Sequence, residues 1–502
     1  MATHKRTRTG CWTCREAGYK CDELKPCCGR CTRLKIICKG YGVKLKWQGN
    51  AINTPTMPPR RKKQKSTDQG RILSPASSTN SSFTSSSLGT PPEVTASPDD
   101  ISSVTLLPIA LPRFAPDLSS NDKWLLHHWS EHLSSMISVA SRTGQANPFQ
   151  VHLTSMAHNS AALRSTILSM AANHLAQATN NPSLLLQGYR HQRDAIRGLQ
   201  DMIQDPHQAD SELAFATVMM MQVSARLFGD EDEATVANHL MGAKAMIAHR
   251  RESKTWLASS SAQFLLNLFA YHDILSAISR GSEPLVDHST AFFAVEGDEN
   301  LTNISNVLLV VARISRLQYA IKTRREATGE EALSEEEDSA GKTIQHILLN
   351  MDFEIARQHE RSEENHIRLT AIAYRHAAFI YLYRTWLDVG APNPISTDHV
   401  QRCLDSIGQI DMRSPLVSAH MWPLFTAGCE ATDHAERQFV RNRFENMYTS
   451  KKFPSLRRVM RDIEDVWAAK DEERQVKGHD SMARVDCIQV ILRRRGREVD
   501  LA

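Results

Sequence analysis

Seven of the ten cysteines lie within residues 11–38, and six of them form a spacing that occurs twice. Each half contains a Cys-x2-Cys pair, and six further residues separate that pair from a third cysteine. A Cys-x2-Cys pair allows two thiolates to hold one tetrahedral ion, and zinc is the usual occupant of such sites. The expected ligands are Cys11, Cys14, Cys21, Cys28, Cys31 and Cys38.

Six thiolates in two equal halves predict a cluster with two zinc ions and shared ligands. Two four-coordinate ions need eight ligand positions, so two cysteines must bridge both ions. By the symmetry of the repeat, we expect Cys11 and Cys28 to be the bridging residues. Cys27 would break the Cys-x2-Cys spacing, so we expect it to be a free thiol. The alternative is a single four-cysteine zinc ribbon with spare thiols.

Local structure must bring the six sulfur atoms together. We expect a short helix after each Cys-x2-Cys pair and an extended arm to each third cysteine. This segment resembles the fungal Zn(2)-Cys(6) binuclear zinc-cluster transcription factors over about residues 9–46. The resemblance implies that the first helix enters the major groove of double-stranded DNA and reads a CGG-type triplet. It is carried by Thr9-Gly10-Cys11, Arg15, Lys20-Cys21-Asp22, Lys25-Pro26 and Cys38-x-Gly40-Tyr41.

The chain departs from that resemblance at the positions that read bases. The family usually has basic residues where this chain has Ala17 and Gly18. Bidentate contacts from Arg or Lys to guanine are the commonest specific readout, and neither residue can make one. Tyr19 either contacts a base edge or a sugar, or packs over the cluster. The expected DNA-contacting residues are Arg8, Arg15, Tyr19, Lys20 and Lys25.

The charge distribution also predicts a polyanion-binding module at the N-terminus. Residues 1–65 contain 17 Lys and Arg residues but only three acidic residues, within a chain whose formal net charge is +4. A basic run near residue 60 is typical of a nuclear-import signal or of a DNA-backbone patch, the other possibility being a solvated charge run. We therefore expect a nuclear protein. The run comprises Arg60, Arg61, Lys62, Lys63 and Lys65.

The remaining chain predicts a linker and a large helical domain. Residues 47–120 are first basic and then rich in Ser, Thr and Pro, which predicts disorder. No sustained heptads occur there, so we expect a monomer or a dimer formed through the C-terminal body. From residue 121, apolar residues recur at three- and four-residue steps, which predicts an all-α domain over 121–480. Residues 481–502 are expected to be a basic tail.

The helical region resembles the fungal-specific transcription factor domain, on segments such as Asn147-Pro148-Phe149 and Phe269-Ala270-Tyr271-His272-Asp273. That resemblance implies a regulatory body that binds co-regulators or senses a small molecule. We expect a zinc-dependent transcription factor of RNA polymerase II genes, which regulates a metabolic or secondary-metabolite gene cluster. The alternative is a helical ligand-binding or enzymatic body that the zinc cluster tethers to chromatin.

Two function classes are not expected from the sequence. The phosphate-binding motif GxxxxGK[ST], the dinucleotide motif GxGxxG and the hydrolase motif GxSxG do not occur, so we expect no enzyme. We also find no run that approaches about 18 apolar residues, and therefore expect no membrane association. The basic N-terminus is not followed by an apolar stretch, which indicates an intracellular protein without a secretory signal.

Overall fold

The computed structural model of this chain divides into two units, Met1–Leu111 and Pro112–Ala502. The residues that it describes are 10–17, 19–24, 27–34, 36, 38, 118–138, 147–229, 236–250, 259–288, 299–351, 353, 362–496, 499 and 501. Most of the predicted linker, 47–120, lies outside the described residues.

Among the residues described for the first unit, two short helices of five residues each occur, α1 (Trp12–Glu16) and α2 (Gly29–Arg33). Each helix begins immediately after a cysteine whose sulfur accepts a hydrogen bond from the backbone of the first helical turn. The acceptors are Cys11 and Cys28, the first cysteines of the two halves. A capping side chain satisfies a backbone N–H that has no partner inside the helix. The predicted pair of short helices is therefore present, but each helix begins inside its Cys-x2-Cys pair rather than after it, because the first cysteine of the pair caps the helix.

The second unit is a helical body, and no strand occurs among the residues described for it, which confirms the all-α prediction. Its first α-helices are α3 (Ser120–His128), α4 (Ser134–Ile137), α5 (Thr154–Asn159), α6 (Ala161–Thr179), α7 (Pro182–Gln204), α8 (Pro206–Ala209), α9 (Glu212–Phe228), α10 (Val236–Arg250) and α11 (Ser260–Arg280). They are followed by α12 (Glu299–Thr328), α13 (Glu335–Leu349), α14 (Ser362–Trp386), α15 (Pro394–Gly408), α16 (Met421–Glu430), α17 (His434–Lys451), α18 (Pro454–Lys477) and α19 (Cys487–Arg495).

Shorter turns complete these helices. In the described part of the body, π-helical turns cover Trp129–Leu133 and Phe149–Leu153, and 3-10 turns cover Pro415–His420 and His479–Arg484.

Side-chain caps and left-handed residues determine where many of these helices begin and end. The Ser160 hydroxyl accepts a hydrogen bond from the backbone of the first turn of α6, which ends at the left-handed Asn180. Gly281 ends α11 at φ 58°, a conformation that a residue with a Cβ rarely adopts. Ser334 and Glu337 form a reciprocal capping box at the start of α13. Local sequence therefore accounts for several boundaries of the body.

Helix α14 lies at the centre of the body. Every side chain from residue 369 to residue 383 is buried, and the helix packs against α12, α13, α15 and α16. A helix that is covered on all sides in this way needs other helices around it rather than solvent on one face. The periodic stripes therefore indicated a helix here, whereas its central position follows from tertiary packing.

The expectation that no stretch is long and apolar enough to cross a membrane does not hold for α12. Among the described residues, the stretch Thr302–Thr328 of α12 is long and apolar enough to cross a membrane, by length and composition only. Its most apolar window is 56% buried inside the body, where α12 packs against α14. Such burial is typical of a core helix, so the stretch is weak evidence for a membrane span.

The C-terminal segment, which the sequence suggested was a basic tail over 481–502, contributes to the helical body. Helix α19 packs against α18, and Ile491 is fully buried. Val499 and Leu501 also belong to the hydrophobic core. The three consecutive arginines at the end of α19 give this segment its basic character, whereas apolar side chains before and after them join it to the core.

Candidate metal centre

The six repeated cysteines converge in two groups of four that share two members. The sulfur atoms of Cys11, Cys14, Cys21 and Cys28 all lie within 4.8 Å of one another, and so do those of Cys11, Cys28, Cys31 and Cys38. Five of the six cysteines are buried and Cys38 is half-buried. The remaining cysteine of the segment, Cys27, is exposed and belongs to neither group.

The distances between sulfur atoms fit tetrahedral zinc. A zinc–sulfur bond of about 2.3 Å places two sulfur ligands of one tetrahedral ion about 3.8 Å apart. The Sγ–Sγ distances are 3.6 Å between Cys11 and Cys28, 3.7 Å between Cys14 and Cys28, and 3.9 Å between Cys11 and Cys31. These distances are those expected for two zinc ions, each held by four sulfur atoms in a tetrahedron, when both ions share the sulfur atoms of Cys11 and Cys28.

Backbone N–H groups point at the sulfur atoms. The N–H of Cys14 donates to Cys11 Sγ at 3.4 Å, and the N–H of Cys31 donates to Cys28 Sγ at 3.3 Å. Cys21 Sγ accepts from the N–H groups of Cys11 and Glu23, both at 3.4 Å. Hydrogen bonds to a charged acceptor are stronger than those to a neutral one, so these donors favour thiolates.

The thiols need a cation to lose their protons. Burial raises the pKa of Cys11 well above its usual range. At Cys28, the N–H of Cys31 lowers the pKa, but burial and neighbouring thiols outweigh it and raise the pKa to about 12. Cysteine binds metal as the thiolate, so proton release and metal binding occur together at this centre.

Asp22 connects the two halves of the centre, a role that the cysteine spacing did not indicate. Its Oδ1 accepts hydrogen bonds from the N–H of Gly29 at 3.0 Å and from the N–H of Leu24 at 3.4 Å. A Cβ at position 29 would lie 2.5 Å from Asp22 Oδ2, so any residue larger than glycine would have to displace this carboxylate. The aspartate therefore holds the start of α2 against the arm that follows α1.

Arg30 is a second residue that the sequence analysis missed. Its Cζ lies 4.0 Å from the centroid of the Tyr19 ring, and its Nη1 lies 3.9 Å from Cys14 Sγ. A guanidinium over an aromatic face is held by a cation–π interaction. Tyr19 is 61% exposed, so its ring forms a surface pair with Arg30 and is not buried against the cluster. The nearness of these two residues depends on how the two halves fold together.

The predicted DNA-contacting residues are only partly within the described part of the chain. Arg15 and Lys20 are exposed, and Ala17, at the end of α1, is exposed as well. Two other predicted DNA contacts, Arg8 and Lys25, lie outside the described residues, as does Gly18. The same is true of the predicted nuclear-import run, which comprises Arg60, Arg61, Lys62, Lys63 and Lys65.

Two family descriptions match this chain. Residues 9–48 match the fungal Zn(2)-Cys(6) binuclear cluster domain, and residues 124–499 match the fungal specific transcription factor domain. The second match covers most of the chain and nearly all of the helical body. No solved structure matches the chain.

The curated relatives match over short segments. Pestheic acid cluster transcriptional regulator 3 of Pestalotiopsis fici is 50% identical over 50 residues, which is 10% of this chain and 9% of the relative. Sterol uptake control protein 2 of Candida albicans is 31% identical over 114 residues, 22% of this chain and 15% of the relative. Arginine metabolism regulation protein II of Saccharomyces cerevisiae is 50% identical over 42 residues, 8% of this chain and 5% of the relative. These matches therefore span a small part of each relative.

Proposed function

Because this chain belongs to the fungal Zn(2)-Cys(6) transcription factors, we propose that it is a zinc-dependent regulator of RNA polymerase II genes that controls one specific metabolic or secondary-metabolite gene set. Its cluster domain binds two zinc ions. The observation that carries the proposal is the pair of cysteine tetrads that share Cys11 and Cys28. The names of the relatives, which refer to a metabolite cluster, sterol uptake and arginine metabolism, support a role in one pathway.

In this proposal all six repeated cysteines are ligands, and Cys11 and Cys28 bridge the two ions. Six thiolates and two Zn²⁺ ions leave a net negative charge on the cluster. The Arg30 guanidinium, which lies beside Cys14 Sγ, offsets part of this charge. Zinc supplies the folding energy of such a small module, because its described core consists of the cysteines alone.

DNA contacts from this module are proposed to be mainly electrostatic. Arg15, on α1, and Lys20, which follows α1, are exposed and hold phosphates. Arg8 and Lys25 contribute from the flanking segments. Phosphate contacts supply affinity that falls steeply with salt and carries little sequence information. The exposed Tyr19 ring, stacked with Arg30, offers a flat surface near α1 for a base edge or a sugar.

The rest of the chain has a regulatory role in this proposal. The segment 1–46 binds DNA, the basic run from Arg60 to Lys65 directs import into the nucleus, and 47–120 links the two units. The helical body binds transcriptional co-regulators and, where a dimer forms, contains the dimer interface. It regulates rather than catalyses, because its match is to a transcription factor domain.

The experiment that tests this proposal compares two neighbouring cysteine variants of the full chain in its host. Genome-wide chromatin immunoprecipitation and transcript profiling are done for the wild-type chain, Cys28→Ser and Cys27→Ser. We expect Cys28→Ser to lose promoter occupancy and the transcript response, and Cys27→Ser to keep both. If Cys28→Ser keeps the same occupied promoters and transcripts, the zinc module does not direct the regulation and the proposal fails.

A further variant, lacking residues 1–46, separates the proposal from the alternative of an enzymatic or ligand-binding body. We expect this truncation to abolish the effect on target transcripts. A truncated chain that still produces the complete cellular effect would favour the alternative.

A further inference from the structure

Two cysteines outside the zinc module meet where the end of α16 lies against the start of α19. Cys487 Sγ lies 3.9 Å from the carbonyl oxygen of Cys429 and 3.6 Å from Glu430 Oε1. The Cys487 sulfur therefore lies against the backbone of Cys429, and the neighbouring Cys487 thiol contributes, after burial, to raising the pKa of Cys429. The two residues are 58 positions apart in the chain, so only the packing of these helices brings them together.

The two thiols differ in how well a reagent can reach them. Cys429 is 2% exposed, whereas Cys487 is half-buried. Burial raises the pKa of Cys429 well above its ordinary value. A reagent from solvent therefore reaches the sulfur of Cys487 first, and Cys429 is inert unless its neighbour has already reacted.

The surroundings of Cys487 resemble those of reactive thiols. Cys487 is the first residue of α19, where backbone N–H groups favour a negative charge. Arg384 is a near neighbour of the sulfur, because Arg384 Nε and Cys487 Sγ both contact Glu430 Oε1, at 3.2 Å and 3.6 Å. The nearby negative charge of Glu430 is offset by Arg384 and by Lys470, whose Nζ lies 2.6 Å from Glu430 Oε2. Partly exposed thiols near positive charge and a helix N-terminus are those that oxidants attack.

We propose that Cys487 and Cys429 form a peroxide-sensitive pair, in which Cys487 is oxidised first and Cys429 then closes a disulfide. In the first step the Cys487 thiol takes one oxygen from hydrogen peroxide and becomes a sulfenic acid, and one water molecule leaves. In the second step the Cys429 sulfur displaces the hydroxyl of that sulfenic acid. The displaced hydroxyl leaves with the thiol proton as a second water, so two thiols are oxidised and one peroxide is reduced.

The disulfide would fix α19 to α16 and so tie down the C-terminal segment of the regulatory body. A thiol reductant reverses the bond, which makes it a redox-sensitive modification site. This site is independent of the DNA-binding role proposed above, because it involves none of the cysteines of the zinc module.

Peptide mapping of the full-length, zinc-loaded chain tests this assignment. The chain is exposed to hydrogen peroxide, its remaining thiols are alkylated, and it is digested with trypsin without reduction. We expect peptide 414–437, which contains Cys429, to be linked to peptide 485–493, which contains Cys487. The matched internal control is Cys403, fully buried and located on peptide 403–413. We expect the Cys487 thiol to be lost at least tenfold faster than the Cys403 thiol.

Three variants test the order of the steps. In Cys429→Ser, Cys487 is expected to be trapped as a sulfenic acid that a dimedone probe labels. In Cys487→Ser, Cys429 is expected to stay reduced, and Cys403→Ser is expected to form the same cross-link as the wild-type chain. The wild-type map needs no variant, so a misfolded variant does not prevent the test. The proposal is overturned if Cys487 reacts no faster than Cys403, or if the cross-link forms equally well in urea-denatured chain.

Discussion

Replacement of Glu430 by glutamine removes the only negative charge from a buried cluster of three charged side chains at the end of α16. Glu430 is 3% exposed, and its Oε2 accepts hydrogen bonds from Lys470 Nζ at 2.6 Å and from the N–H of Ala391 at 2.9 Å. Its Oε1 accepts from Arg384 Nε at 3.2 Å. Glutamine keeps the shape of the side chain but leaves the Lys470 and Arg384 cations without their counter-charge.

The expected cost follows from the burial of the three groups. The Lys470 side chain is fully buried and that of Arg384 is 14% exposed, so water cannot take over the role of the carboxylate at Lys470. Removal of one partner from a buried ion pair costs about 3–5 kcal/mol. Glutamine retains an oxygen acceptor and Arg384 can reach some solvent, so we expect a loss near the lower limit, about 3 kcal/mol.

Urea unfolding of the full-length chain, followed by far-UV circular dichroism, measures this loss. The matched control is Glu464→Gln, because Glu464 pairs with Arg441 at 3.2 Å but the two side chains are 46% and 41% exposed. Exposed pairs contribute about 0–1 kcal/mol, so the control should lose less than about 1 kcal/mol. If Glu430→Gln costs no more than the control, the argument from buried charge is refuted.

The pH dependence of the same variant provides an independent test. Burial by itself would raise the pKa of Glu430, but the charges of Arg384 and Lys470 outweigh it and lower the pKa from 4.5 to about 2. A carboxyl with a lower pKa in the folded chain stabilises the fold above its unfolded pKa and loses that contribution as pH falls toward its folded pKa. The difference in unfolding free energy between wild type and Glu430→Gln should therefore narrow between pH 4.5 and about 2. A constant difference over this range would contradict the assignment.

Three further predictions concern the zinc module. Metal analysis should find two zinc ions per chain in the wild-type protein and in Cys27→Ser, and fewer in Cys28→Ser; one ion per wild-type chain would exclude the shared-ligand cluster. Gly29→Ala should release zinc to a chelator several-fold faster, because its Cβ would displace the aspartate carboxylate 2.5 Å away, and an unchanged rate would show that this contact is unimportant. Electrophoretic mobility shifts should show that the double variant Ala17→Lys and Gly18→Lys prefers CGG over scrambled DNA about tenfold or more beyond wild type, since one bidentate base contact contributes about 1–3 kcal/mol. Zinc content is the folding control, and an unchanged preference in a zinc-loaded variant would show that these positions do not read bases.

The sequence by itself determined the metal chemistry of this protein. Thiolate ligands must be supplied at set intervals along a short chain, so the spacing from Cys11 to Cys38 indicated a two-zinc cluster without any knowledge of the fold. The predicted helices likewise follow from a local property, the recurrence of apolar residues at three- and four-residue steps. In each pattern, neighbouring members are only a few residues apart in the chain, so the pattern can be recognised from the sequence directly.

Only the tertiary structure decided which distant residues meet. Contacts between different helices and arms include the Asp22 carboxylate on the backbone of Gly29, Arg30 on the Tyr19 ring, and Cys487 Sγ on the carbonyl of Cys429. The ion cluster at Glu430 likewise draws its charges from α14, α16 and α18. The apolar residues after α19 belong to the core although charged residues stand between them. Such contacts leave no periodic trace in the sequence, because each partner is an ordinary residue of its own helix, and its environment is determined by how the helices pack.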